Sequence, residues 1–402
     1  MAGNGLVPRE RYAYLLKHLE KSPNVKIFTG VRRCGKSSLM KMVADSVESG
    51  ANVIWIDLEN MRNVDIVDAE GLHSEIKRLS KEGRNALFID EVQEVAGWEN
   101  VVRSLLKEGG YNIYLSGSNS GTLSSELATR MAGRYVSIRV SPLSLGECAR
   151  FNEHYGICDP DDVFERYLLY GGMPALWTHQ LPLDIAYITL KDLYETIVVR
   201  DVMPRSPGCG EIFRRMVLFI CDNIGSMTSL NRMYNVISDE FDGIGGKNRF
   251  YAYAEHLENA YFIERARVFD IRGKKLLKPR YKFYLTDLGF KHMMMGYTER
   301  DVGKHLENIV FLELRNRGYD VYVGEIDGRE VDFVGIRGGD RVYVQCAYVL
   351  TEDNMDREFG NLEKIPDQYP KFLVTMDERF GDGTDSGIRY MHARKFLVSD
   401  SF

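Results

Sequence analysis

Two groups of residues in this chain have the types and spacing of chemical sites. The first is Gly30-Val31-Arg32-Arg33-Cys34-Gly35-Lys36-Ser37-Ser38. Its GxxxxGK[ST] spacing suits a loop that curls around phosphate, because Gly30 and Gly35 let backbone N–H groups turn towards phosphate oxygens. Lys36 would bridge the β and γ phosphates of a nucleoside triphosphate, and the Ser37 hydroxyl would hold Mg²⁺. Val31, Arg32, Arg33, Cys34 and Ser38 complete the cradle, with two readings of Cys34 open, a redox thiol or a filler. Farther along, "NALFIDEVQ" ends an apolar run in Asp90 and Glu91. Asp90 would hold Mg²⁺ through water, and Glu91 would polarise an attacking water. A P-loop kinase has no need of a glutamate directly after that aspartate, whereas hydrolysis does.

The second group lies near the other end. Glu307 sits near the start of a helix-period segment, Asp332 on the run "REVDFVGI", and Gln345 and Ala347 on the run "RVYVQCAY". A helix followed by three strands, with an acid on the helix and "VDF" on a strand, resembles the core of restriction-endonuclease-like folds. That resemblance implies a helix acid, a strand Asp and a Glu-x-Lys pair around Mg²⁺. Glu307 and Asp332 match the first two. Gln345 stands where the third acid belongs, able to coordinate through its carbonyl oxygen but without charge, and Ala347 stands where the lysine belongs. Losing one electrostatic contribution of that kind costs about 100-fold or more in rate. A nuclease-like fold kept for binding or packing is therefore expected; Lys304 or Arg341 would have to migrate to restore the missing cation.

The elements that must position these groups are legible as periodic runs. Val25–Thr29, Asn52–Asn60, Ala86–Ile89 and Tyr111–Ser120 read as strands of one parallel sheet. Leu39, Met42, Val43 and Val47 mark one face of the helix that follows the glycine loop. "VFERYLLYGGMPALW" reads as a helix broken at Gly171-Gly172, with Arg200 and Arg205 beyond it as candidates for nucleotide or interdomain contact or for surface salt bridges. From Ile212, three amphipathic segments and two strand-like runs around a basic turn describe a winged helix. Between Glu264 and Lys282 there are eight Lys/Arg against two acids, and Lys247, Asn248, Arg249 and Tyr253 lie on the third helix. That charge would suit a phosphate backbone, and packing against protein is the alternative.

Composition bounds the rest. The 402 residues are 44% hydrophobic and 27% charged, which is ample for two or three globular domains. A net charge of −6 excludes a wholly basic nucleic-acid coat. The six cysteines show no CxxC pair or zinc spacing, and with no apolar secretory core or membrane-length run the expectation is a cytoplasmic protein without a membrane partner.

"GVRRCGKSS", "LFIDEVQ", "LSGSNS", "MAGRYVSIRVSPLSLGE" and "GGMPALW", in that order, resemble a group of prokaryotic AAA-type ATPases that carry a C-terminal domain of unknown function. The resemblance runs from about Arg9 to the end of the chain. It implies an α/β fold: a P-loop NTPase (AAA-type) parallel sheet over residues 1–150, a helical lid over 151–207, a winged helix over 208–298, and a C-terminal α/β restriction-endonuclease-like domain over 299–402. It further implies ATP and Mg²⁺ as ligand and cofactor, with Ser118 or Asn119 as a γ-phosphate sensor. Arg130 or Arg134 would be an arginine finger, acting on a neighbouring subunit's nucleotide or its own; two solvated arginines are the alternative. The resulting expectation is Mg²⁺-dependent ATP hydrolysis that drives a switch of the lid, winged helix and C-terminal domain. Two alternatives stand beside it: an ATP-regulated DNA-binding protein or nuclease, contacting DNA through the basic wing 265–282, and a protein-interaction switch without nucleic acid. Oligomeric state is left open.

Overall fold

The apolar runs of the N-terminal third form β1 (Val25–Thr29), β2 (Asn52–Asp57), β3 (Asn85–Asp90), β4 (Tyr111–Gly117) and β5 (Tyr135–Arg139), with helices α1 (Glu10–Leu19), α2 (Lys36–Asp45), α3 (Ala69–Leu79) and α4 (Trp98–Glu108). The computed structural model describes residues 5–47, 50–60, 63, 65–118, 133–203, 210–241 and 244–399. Asn119, Arg130 and Arg205 lie outside the described residues. The chain divides into two compact units, Met1–Ser141 with Asn259–Tyr261, and Pro142–Glu258 with Phe262–Phe402.

In the first unit all five strands are parallel, in the order β2-β3-β4-β1-β5. β1 and β3 are buried along their whole length, which is why both read as unbroken rather than alternating apolar runs. Ile27, Leu87, Ile89 and Leu115 pack with Trp98 and Val102 of α4 in one core. Each such side chain contributes about 1.5–3 kcal/mol by leaving water. The order matters for chemistry because β4 lies between β1 and β3. The turns after these three strands therefore meet at one edge of the sheet, where α/β folds bind ligands.

The second unit begins with α5 (Leu145–Tyr155), α6 (Val163–Tyr170) and α7 (Leu183–Ile197). Three helices follow, α8 (Gly210–Asp222), α9 (Leu230–Glu240) and α10 (Lys247–Asn259), then the ribbon β6 (Ile263–Asp270) and β7 (Lys275–Leu285), and α11 (Leu288–Met295). The remainder is α12 (Val302–Asn316), β8 (Asp320–Ile326), β9 (Arg329–Arg337), β10 (Asp340–Ala347), α13 (Glu352–Glu363), β11 (Lys371–Thr375), β12 (Gly383–Asp385), β13 (Ile388–His392) and α14 (Ala393–Val398).

One eight-stranded sheet, β12-β13-β11-β10-β9-β8-β6-β7, runs through this unit. The boundary expected at residue 298 is crossed by it, since β6 pairs in parallel with β8 at Val268–Val323 through Asp270–Glu325. The ribbon is thus part of a larger sheet rather than a projecting wing. Much of its charge is already matched. Arg265 pairs with Glu258, Arg272 with Asp327, Arg280 with Glu325, and Lys282 with three acids. Four of the eight basic residues counted in the sequence are therefore spent on acids outside the counted stretch, while Arg267, Lys274 and Lys275 remain exposed.

Two of the sequence blocks meet the segment Thr286–Phe290 here. Asp287 is buried and accepts hydrogen bonds from Gly172 N (2.7 Å) and Gly289 N (2.8 Å). A Cβ on Gly171 would fall 1.8 Å from the Asp287 carboxylate, and one on Gly172 would fall 2.1 Å from the Leu143 carbonyl oxygen. The Gly-Gly pair is thus demanded by close approach of "TDLGF" on one side and "PLSLGE" on the other. No helix among the described residues is long and apolar enough to cross a membrane.

Candidate nucleotide site and a second acidic pocket

The glycine loop leaves β1 at Thr29 and enters α2 at Lys36. Gly30 has φ 145°, and a side chain there would strike the Val140 carbonyl oxygen at 2.0 Å. Gly35 has φ 103° and Arg33 φ 63°, so the loop alternates handedness and curls its amides inward. Lys36 is buried, and its Nζ donates to the carbonyls of Gly30 (3.1 Å) and Val31 (3.2 Å), neutral acceptors that a phosphate would displace. Ser37, Ser38 and Arg33 face solvent. The Cys34 thiol is fully buried and donates to the Val140 carbonyl at 3.1 Å, and burial raises its pKa. It fills the back of the loop, and the redox reading loses its reactive thiolate. Arg9 braces the same point, donating to the carbonyls of Cys34 (3.2 Å) and Ser141 (3.0 Å). No local pattern around Arg9 signals that role.

β3 delivers Asp90 and Glu91 to the same edge, both buried. Asp90 accepts hydrogen bonds from Ser116 and from Ser37. Burial raises the Asp90 pKa, the two hydroxyls pull the other way, and the like charges of Glu91 and Asp57 add to the rise. A carboxylate raised by burial among other acids, with the Ser37 hydroxyl against it, is a donor set that fits a hard cation. Glu91 lies in left-handed backbone, φ 54°. Its N–H donates to Ser116 Oγ at 2.9 Å, and its carboxylate accepts from Gln93 and lies 3.9 Å from Arg32. Arg32 also reaches Glu59 at 2.9 Å and Ser118 at 3.5 Å.

The structure therefore brings together Gly30, Gly35, Lys36, Ser37, Asp90, Glu91 and Ser118, with Arg32 on the acid side. Ser116 was missed. It shares the β4 alternation with Ser118, and that spacing was the signal that could have found it. Arg134 falls elsewhere. It is exposed, and its carbonyl accepts from Val25 N (2.9 Å) at the start of β1. The glycine loop leaves the other end of that strand, roughly 13 Å along it, so Arg134 is not gathered into its own chain's site.

The second pocket has a volume of about 670 Å³ and is lined in part by Glu307, Glu330, Asp332, Gln345 and Glu358. α12 supplies Glu307, β9 supplies Asp332, and β10 supplies Gln345. Gln345 is not a free carbonyl ligand: its Oε1 accepts from Asp332 N (3.3 Å), and its Nε2 donates to Glu358 at 2.8 Å. Ala347 packs into the apolar core of the sheet. The expected migrants do not arrive. Lys304 binds the Asp222 carbonyl and Asp301, and Arg341 binds Tyr343. A lysine is present nonetheless. Lys282, from β7, lies 3.0 Å from Glu307, 2.7 Å from Glu330 and 3.4 Å from Asp332. Burial alone would lower its pKa, but the surrounding Tyr284, Glu307, Asp332 and Glu330 raise it well above the usual lysine value.

Comparison with known proteins bears on the domain that carries the first site. A family model for an AAA domain matches residues 22–149, and one for a domain of unknown function (DUF8612) matches residues 161–301. The chain is 32% identical over 384 residues to an uncharacterized protein of Haemophilus influenzae, covering 92% of this chain and 93% of that one. It is 29% identical to an uncharacterized protein of Methanocaldococcus jannaschii over 360 residues, covering 85% of this chain and 79% of the other. Among solved structures, a Walker-type ATPase of Pyrococcus abyssi superposes with a TM-score of 0.51 at 16% identity, covering 72% of this chain and 96% of that one. The parallel sheet, the glycine loop and the AAA-domain match over residues 22–149 define an AAA-type P-loop fold for the first unit. The chain belongs to the same family as the Haemophilus influenzae protein.

Proposed function

We propose that the chain binds ATP with Mg²⁺ at the glycine loop and hydrolyses it. One observation carries the reading: Lys36 and Ser37 on one side, and Asp90, Glu91, Ser116 and Ser118 on the other, converge on one edge of a parallel sheet. The curled amides and Lys36 hold the phosphates. Ser37 and Asp90 hold Mg²⁺, which supplies charge neutralisation at the phosphate oxygens when bound. Glu91 orients and polarises the attacking water, and Ser116 fixes the Glu91 backbone through its N–H. Ser118 stands beside Arg32 and Gln93, where a γ-phosphate would be sensed.

In this reading residues 142–203 act as a helical lid. α8–α10 with β6–β7 form a winged helix fused to a nuclease-like sheet, and hydrolysis repositions that unit. The ion-paired ribbon favours a protein-interaction output over a DNA contact, because its uncommitted charge is about half the sequence count. Lys36→Ala tests the assignment by equilibrium binding of a fluorescent ATP analogue. A loss of at least 10- to 100-fold in affinity is expected, the worth of a charge-assisted contact; unchanged affinity would remove the glycine loop from nucleotide binding.

A further inference from the structure

The nuclease-like sheet calls for a divalent cation between Glu307 and Asp332, and the structure puts an ammonium there. Lys282 Nζ has three N–H donors. It meets three carboxylates, Glu307 Oε2, Glu330 Oε1 and Asp332 Oδ1, at 2.7–3.4 Å. A hard divalent ion bound to those oxygens would sit about 2.1–2.5 Å from each of them, and so within contact distance of the ammonium. The two cations exclude each other. The rest of the donor set is committed as well: Asp332 Oδ2 accepts from Cys346 N at 2.9 Å, Tyr284 donates to Glu307 Oε2 at 3.2 Å, and Gln345 is held between Asp332 and Glu358. Among the described residues no group of three or more His, Cys, Asp or Glu is arranged to hold a metal.

The lysine is not placed to act on a substrate. Its side chain is 2% exposed, sealed beneath the acids that line the cavity, and its three donors are taken. It is also anchored from outside the hairpin that carries Asp332. Lys282 lies on β7 opposite Ala266, and β7 is bound to α12 through the Asn308 side chain, which donates to the Leu285 carbonyl (3.0 Å) and accepts from Leu285 N (2.9 Å). Stacking of Tyr284 on Phe311, 4.3 Å between ring centroids, adds a second tie.

We propose that Lys282 is the resident cation of this site, an intramolecular replacement for a divalent metal that ties the ribbon to α12 and β9. A latent divalent-cation site, made by Glu307, Asp332 and Glu330, is filled by that ammonium and opens when it is removed. This inference does not rest on the ATPase reading, so it is tested on the full-length, nucleotide-free protein with Mn²⁺ as probe, by titration followed with electron paramagnetic resonance and by thermal unfolding. Wild type and Asp332→Asn are expected to bind Mn²⁺ identically. Lys282→Met is expected to bind one more Mn²⁺ per chain than wild type and to gain several degrees in Tm from it, both lost in Lys282→Met/Asp332→Asn. Mn²⁺ binding by wild type that Asp332→Asn removes would overturn the proposal, as would a folded Lys282→Met that binds no additional ion. If Lys282→Met does not fold, the comparison of wild type with Asp332→Asn decides alone.

Discussion

The glycine-loop site and the C-terminal pocket are built from the same materials, a buried lysine and a set of carboxylates, yet arranged in opposite ways. In the first, Lys36 binds backbone carbonyls, and the acids Asp90 and Glu91 come from another strand with β4 between. Phosphates and a cation can enter between the two charges. In the second, Lys282 lies directly among Glu307, Glu330 and Asp332, and the charges satisfy one another. A separated pair leaves unmatched charge for a ligand, whereas a closed pair holds the fold. Substitutions in the first site should therefore change turnover and spare stability, and those in the second unit should do the reverse.

The largest expected effect is on turnover. Glu91→Gln removes the group proposed to polarise water, a contribution of about 10²- to 10⁴-fold. Phosphate release should fall by that order while Tm stays within a degree or two. A drop in Tm of many degrees would make Glu91 structural and blur the contrast. Next is Lys282→Met, which leaves three carboxylates facing one another; breaking a buried pair costs about 3–5 kcal/mol. Denaturant unfolding should show that loss, with ATP turnover by the folded fraction unchanged. Asp287→Ala should cost about 1–3 kcal/mol by stranding the N–H groups of Gly172 and Gly289. The same unfolding measurement checks it, and a neutral result would reduce the Gly-Gly contact to incidental packing.

The last effect is one of pH. His292 and His305 are buried with their Nε2 atoms 3.2 Å apart, and Lys291 Nζ is 3.0 Å from His305. Burial lowers His292 to about 4, helped by Lys291, and lowers His305 to about 3, helped by His292 and Lys291; Asp301 opposes both. The folded pKa values lie below the unfolded value of 6.5. Stability from these groups is therefore present above pH 6.5 and lost as pH falls towards 4, at up to about 1.4 kcal/mol per pH unit for each. His305→Gln should flatten the slope of stability against pH between 6.5 and 4; an unchanged slope would show that the pair does not titrate as described.

The legibility of the chain followed the same division. The glycine loop, Asp90-Glu91 and the strands around them were readable because strand, loop and helix are contiguous, and the motif states its own context. Lys282 was readable only as one more charge on a basic ribbon, since its partners lie 25 to 50 residues away on other elements. Counting charge along the chain could not register that Arg265, Arg272, Arg280 and Lys282 are matched by acids outside the window. Gly30 was assigned to phosphate approach, but its space is also required by Val140, 110 residues distant in sequence. "GGMP" was recognisable, and its contact with Asp287 was not, because nothing local reveals which buried acid caps which amide. Arg134 was an arginine-finger candidate by family resemblance, for a neighbouring subunit's nucleotide or its own, and strand register puts it at the other end of β1 from its own chain's glycine loop.

Steady-state phosphate release, measured side by side for wild type, Glu91→Gln and Asp332→Asn, tests the central contrast most directly. The separated site predicts that Glu91→Gln loses turnover by two orders of magnitude or more while Asp332→Asn keeps the wild-type rate. Undiminished release by Glu91→Gln, or its loss in Asp332→Asn, would contradict the assignment of the chemistry to the N-terminal sheet.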